Sequence, residues 1–223
     1  LKKMYNKDLM YKGYTIQPYS PAAGTGLSSH ELNLPGCYKD VKDTTIVAQF
    51  KVTSSEFQDK WGVEGQVHFI AWTTTPWTLP SNTALCVGPK IEYVLVNSFN
   101  QYTGEAIQVV LASALVGKQF SGKFKAVESV EELVYTEGDK TIPFLVGQNF
   151  TGTDLVGIRY EQLIGGCTPF EDADKAYQVI SGDFVTTEDG TGIVHIAPTF
   201  GADDAMVAQK AGIPAMLVLM RMK

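Results

Sequence analysis

The chain has 223 residues, of which 44% are hydrophobic and 19% charged, a composition that excludes a disordered chain. Eighteen Lys and Arg against 24 Asp and Glu leave a formal net charge of −6, so a bulk electrostatic grip on nucleic acid is not expected. The longest apolar stretch, around Ala211–Met220, is broken at Gly212 and Pro214 and is too short to span a bilayer. Cys37, Cys86 and Cys167 are widely spaced, which supports neither a disulfide framework nor a zinc knuckle. No basic-then-apolar leader opens the chain, so a cytoplasmic location without membrane contact is expected.

Leu1, Met4, Tyr5 and Leu9 recur at helical spacing and predict a helix closed by Lys12 and Gly13. From Tyr14 to Cys37 the chain turns to Ser, Pro, Gly and Ala, which reads as an irregular arm. Residues 1–43 are therefore expected as an arm, 44–214 as the main domain and 215–223 as a connecting tail. In the main domain, runs rich in β-branched and aromatic residues predict strands. They are Thr44–Val52, Gln66–Trp72, Thr83–Val87, Glu92–Asn97, Ala106–Leu111, Lys123–Val127, Glu132–Tyr135, Lys175–Ile180, Asp183–Thr186 and Gly192–Ile196. Gly88-Pro89, Gly104, Gly138-Asp139 and Asp189-Gly190 supply turns between them. Helices are expected at Ser113–Lys118, Glu171–Ala176 and Ala202–Lys210. Many short strands with glycine turns point to a mainly β fold with peripheral α, a barrel or sandwich. Lys118, Lys123 and Lys125 share a stretch free of acids. They form either a solvated strand edge or a phosphate-contacting patch.

Three stretches carry residues that packing does not need. Thr73, Thr74 and Thr75 follow Trp72 off the end of a strand, and Pro76 biases Thr75 away from helix. Such a loop can present hydroxyls and backbone N–H groups to a ligand oxygen, or simply cap a short helix. His195 sits among Ile193, Val194 and Ile196, as a core histidine or a site residue. Asp203 and Asp204 open the last helix, where one carboxylate suffices as a cap. His30, His68 and His195 lack ligand spacing, so no metal site is expected. Gly24-Thr25-Gly26 and Gly190-Thr191-Gly192 are incomplete dinucleotide fingerprints. There is no Gly-x-Ser-x-Gly elbow.

Trp72–Asn82 followed by Glu188–Asp204 resembles the editing domain of isoleucyl-tRNA synthetase, the large insertion in a class I catalytic fold. Leu155–Leu163 is similar to the family's Leu-x-Gly-x-x-Tyr-x-x-Leu segment. The resemblance runs from about Thr44 to Pro214, and Tyr14–Leu32 resembles the chain leaving the catalytic body. The form Thr-Thr-Thr-Pro-Trp differs from the Thr-Thr-Arg-Pro of valyl and leucyl relatives. The resemblance implies a β-barrel editing domain that hydrolyses valine mischarged on isoleucine tRNA, with no cofactor in this fragment. His195-Ile196-Ala197-Pro198 lacks the end of the class I signature and no Lys-Met-Ser-Lys-Ser stretch occurs, so aminoacylation and ATP binding are left to the parent protein.

Carried over by position, Thr73, Thr74 and Thr75 line the pocket, with Trp72 and Asn82 binding substrate. His195 walls the ester, and Asp204 holds the α-ammonium. The implied partners are the acceptor end of isoleucine tRNA carrying valine and the rest of the synthetase chain, with the protein a monomer. Lys118, Lys123 and Lys125 are candidate backbone contacts. No nucleophile–base pair is evident, so a positioned water and a stabilised oxyanion are expected rather than a covalent intermediate. Two other readings stand beside this one. The first is a non-catalytic aminoacyl-adenosine or tRNA-binding module. The second is a generic β-barrel binder in which Asp204 is only a helix cap.

Overall fold

The computed structural model describes residues 1–12, 16–136 and 138–218. The chain divides into two compact units, one spanning Leu1–Lys42 and one beginning at Asp43. In the first, α1 (Lys2–Tyr5) is a single turn, and Asp8 enters the left-handed region at φ 56°. The helix is thus shorter than the apolar spacing suggests, and its expected Gly13 cap lies outside the described residues, as do residues 219–223 of the expected tail. β1 (Tyr19–Ser20) and β2 (Thr25–Gly26) form a small antiparallel pair. α2 (Ser29–Leu32) is opened by a capping box between Ser28 and Glu31. Neither helix buries a residue, so this unit is built from local hydrogen bonds rather than a core.

The second unit begins with β3 (Ile46–Lys51), α3 (Ser55–Trp61) and β4 (Val67–Thr73). A 3-10 turn, Pro76–Ser81, leads to β5 (Ala84–Val87), β6 (Glu92–Phe99) and β7 (Ala106–Ala112). Then come a 3-10 turn at Ser113–Leu115, α4 (Val116–Gln119), β8 (Phe124–Ala126), β9 (Ile142–Thr151) and α5 (Gly152–Leu155). A 3-10 turn at Ala173–Lys175, β10 (Gln178–Ser181), β11 (Ile193–Ile196) and α6 (Ala202–Ala211) complete it. The ladders give a six-stranded sheet ordered β3-β4-β7-β6-β9-β8 and a three-stranded sheet ordered β10-β5-β11. The two adjoin where β11 lies against β4. The fold is mainly β, as expected; the ladders of this second unit run as two sheets, and isolated bridges pair Val52 with Tyr160 and Arg159 with Gln178 between them.

The large sheet is covered on both faces. Phe50, Phe69, Val110 and Phe150 pack on one side with Phe57 of α3. Val94, Val96, Val109 and Leu111 pack on the other with Phe120 and Phe144. A third cluster joins Cys86, Ile180 and Ile196 to Ala208 of α6. Burial on both faces explains the near-continuous apolar runs in β5, β6 and β7.

Several local expectations fail, among them the helix expected at Glu171–Ala176, which is only the 3-10 turn Ala173–Lys175. Glu132–Tyr135 and Asp183–Thr186 are turn and irregular backbone, and the strand expected at Lys175–Ile180 begins only at Gln178. β9 was not foreseen, because Pro143, Gly147 and Asn149 read as loop chemistry. Pro143 is tolerated in the parallel pair with Lys125, and its carbonyl accepts Ser98 Oγ at 2.9 Å. Gly147 sits where the register slips between Val94 and Val96, and a Cβ there would lie 3.3 Å from the Leu95 carbonyl oxygen.

Candidate active site

β4 runs out at Thr73, and the backbone then turns into Pro76–Ser81. Thr75 occupies the N-cap position without a side-chain cap bond, so the capping reading does not describe it. The hydroxyls form a chain instead. Thr73 Oγ1 accepts Thr75 N–H at 3.1 Å and lies 3.3 Å from Thr75 Oγ1, which lies 3.3 Å from Thr78 Oγ1. Thr78 Oγ1 donates to the Thr75 carbonyl at 2.8 Å and meets His195 Nε2 at 3.0 Å. Thr78 is a residue the sequence reading passed over; its only signal was membership of the same threonine run.

His195 lies on β11 opposite Leu85 and is 8% exposed. Burial holds its pKa down at about 4, so the imidazole is neutral at pH 7. Its Nδ1 is buried without a partner.

Asp204 is the third residue of α6, behind the N-cap Gly201. Its Oδ2 accepts the Ala197 N–H at 2.8 Å, tying the helix start to the end of β11. A Cβ at Gly201 would come within 2.9 Å of Asp204 Cγ, so glycine leaves room for the carboxylate. Burial pushes the Asp204 carboxyl above its ordinary range; the Ala197 N–H acts against this, and Asp203 adds to the rise.

These groups share one cleft of about 420 Å³. Trp72, Thr73, Thr74, Thr75, His195 and Asp204 line it, and the loop Glu188–Gly192 forms its rim. Gly190 and Gly192 take φ values of 77° and 73°, and a Cβ at Gly190 would lie 3.2 Å from the Trp72 ring. A hollow of about 470 Å³ on the sheet and one of about 570 Å³ beside α6 are larger. We identify the smaller cleft as the site because hydroxyls, an imidazole and a half-buried carboxylate converge there. Its rim adds Glu188 and Asp189, the second of which is paired with Lys118.

Two residues singled out in the sequence lie elsewhere than in the cleft lining. Asn82 does not line the cleft; it is 2% exposed with its amide fully engaged. Nδ2 donates to the carbonyls of Ala84 at 2.8 Å and Ile196 at 3.4 Å, and Oδ1 accepts Tyr160 Oη at 2.7 Å. In this geometry its side chain supports the loop from behind the cleft. Lys118 is engaged with the rim: Nζ donates to the Glu188 carbonyl and pairs with Asp189 Oδ1 at 3.2 Å. Lys125 lies on β8 and Lys123 just before it, and neither lines the cleft.

Among the described residues no group of three His, Cys, Asp or Glu side chains is placed to hold a metal ion. Nor is any helix among them long and apolar enough to cross a membrane. All three cysteines are free, and burial pushes the Cys86 thiol up to about 12, which leaves it unreactive.

No family model matches the chain. The isoleucine–tRNA ligase of Bacteroides fragilis is 62% identical over 217 residues, covering 97% of this chain and 18% of that protein. The chain belongs, as a segment, to the isoleucyl-tRNA synthetase family. It spans under a fifth of the length of that relative. Two solved structures are similar in fold. GlLeuRS-CP1 aligns with a TM-score of 0.51 at 16% identity over 76% of this chain and 65% of that one. The editing domain of P. knowlesi cytosolic leucyl-tRNA synthetase aligns at 0.50 and 14% identity, over 74% and 62%. The segment thus has the fold of synthetase editing domains.

Proposed function

We propose that this chain is the editing segment of a cytoplasmic isoleucine–tRNA ligase, hydrolysing valine esterified to isoleucine tRNA. The observation that carries the reading is the convergence of Thr73–Thr75, His195 and Asp204 on one cleft. The isoleucine enzyme is itself the standard example of the need: a missing methylene is worth only about 1–3 kcal/mol, too little for a synthetic site to reject valine. A second site that admits valine and excludes isoleucine by size supplies the remainder.

Asp204 receives the α-ammonium. One of its oxygens is held by the Ala197 N–H, which fixes the carboxylate and leaves the other for the ligand. A bound cation also favours the ionised carboxylate that burial opposes. The Thr73–Thr75 hydroxyls stabilise the developing oxyanion and orient the attacking water. His195 is the wall: neutral, and fixed by Thr78, it contributes shape rather than a proton at pH 7. An aminoacyl ester is already activated, so this arrangement requires no covalent intermediate. The tRNA acceptor end and the rest of the synthetase chain are the partners of this reading.

The test is deacylation of preformed valyl- and isoleucyl-tRNA, both on the isoleucine acceptor. Release of valine with isoleucine retained is expected. Release of neither, with aminoacyl-adenosine still bound, replaces hydrolysis by the binding-module reading.

A further inference from the structure

The rim loop Glu188–Gly192 has two sides. One lines the cleft against Trp72 and His195. On the other, its carbonyls are taken up by β6, β7 and α4. Lys118 Nζ donates to Glu188, Gln119 Nε2 to Gly190 at 2.8 Å, Ala112 N–H to Thr191 at 2.8 Å, and Tyr93 Oη to Gly192 at 2.7 Å. The last two donors belong to buried residues of the large sheet. The first two are side chains of the short helix α4, and Lys118 also pairs with the Asp189 carboxylate. Gly190 lies against the Trp72 ring, so the position of the loop sets the position of that wall.

We propose that Lys118 and Gln119 are positioning residues of the cleft. Their side chains latch the rim loop and set the spacing between the Gly190–Trp72 wall and the threonine wall. A lone exposed ion pair contributes little. Here a charge-assisted bond and a neutral one hold two carbonyls in the same short loop, which gives direction as well as attraction. Without them the carbonyl ties that remain among the described residues are those at Thr191 and Gly192, and the remainder opens locally. The latch also accounts for Lys118, whose ammonium is turned onto the loop. The latch rests on geometry alone; its effect on turnover rests on the editing reading.

The full chain is compared with the double variant Lys118→Met, Gln119→Leu and with Lys118→Arg. Two measurements are made: hydrogen–deuterium exchange, and deacylation of valyl-tRNA and of phosphate-free 3′-O-valyl-adenosine. In the double variant, exchange across Glu188–Gly192 rises about tenfold while β6 and β7 stay protected. KM rises about fivefold on both substrates with kcat within about twofold, and Lys118→Arg stays near the parent. Unchanged exchange in the loop, or exchange raised throughout the chain, overturns the proposal. A KM effect confined to tRNA overturns it too, in favour of a phosphate contact. If the parent chain deacylates neither substrate, the editing reading fails, and the exchange measurement still decides the latch.

Discussion

Thr78 Oγ1 and His195 Nε2 lie 3.0 Å apart, although 117 residues separate them in the chain. The Thr78 hydroxyl proton is directed to the Thr75 carbonyl at 2.8 Å, so the imidazole is the donor of this bond. His195 therefore carries its proton on Nε2, with a lone pair on the buried Nδ1. Nitrogen NMR of the imidazole is expected to show that single neutral tautomer from pH 8 down to pH 5.

The same histidine shapes the stability of the fold against acid. Its folded pKa of about 4 lies below the ordinary 6.5, so between these values the unfolded chain binds the extra proton. Stability is full above pH 6.5 and falls as the pH drops toward 4. This one group accounts for about 3 kcal/mol of the loss. Urea titrations of the parent and His195→Gln between pH 7 and 4 should diverge by that slope. Parallel curves would show that the imidazole titrates normally in the fold.

Asp204 has the opposite sign. Its folded carboxyl keeps its proton to a higher pH than in the unfolded chain, so ionisation at pH 7 costs stability. That cost fades as the pH falls through the raised value. Asp204→Asn keeps an acceptor for the Ala197 N–H and loses the charge. Its Tm at pH 7 should match or exceed that of the parent, while valyl-tRNA deacylation drops roughly 10–100-fold, the worth of a charge-assisted contact. A folded variant with full activity would leave Asp204 as a helix-start residue only.

Asn82→Ala should fail differently. It strands Tyr160 Oη and removes the amide donor to the Ala84 carbonyl inside the core, while the Ile196 carbonyl keeps the Thr83 N–H. A loss of about 2–4 kcal/mol of stability is expected, read by urea unfolding, with activity falling in step with the folded fraction. Lost activity at unchanged stability would put Asn82 back in contact with substrate.

Gly192→Ala tests the base of the rim loop. The residue sits at φ 73°, and a Cβ there would lie 2.3 Å from Ala112 Cβ. Strain and overlap together should cost at least about 2 kcal/mol. A Tm within a degree of the parent would show that the loop shifts freely at this point.

Much of the sheet could be read locally because its strands report their own burial. Ala48 and Phe50 alternate with more exposed neighbours in β3, while Tyr93–Val96 of β6 and Val109–Ala112 of β7 are continuous apolar runs because both faces are covered. α3 was missed because only Phe57 and Trp61 mark its buried side, too few for a period to show. β9 was missed because its exposed centre, Val146–Asn149, has no apolar alternation. Only the ladders to β6 and β8 make that segment a strand.

The site divides along the same line. The chemistry of Thr73–Thr75, His195 and Asp204 was visible from side-chain type and local context, since a hydroxyl run at a strand end and a carboxylate at a helix start are short-range features. Their union in one cleft, the Thr78–His195 bond, the retreat of Asn82 into the core and the latching of Lys118 onto Glu188 were settled by tertiary structure. Each depends on a partner that distant pairing brings near, such as Tyr160 for Asn82, 78 residues along the chain. Local sequence states what a side chain is able to do. Whether it faces a ligand, a neighbour or water is decided by the sheets that pack around it.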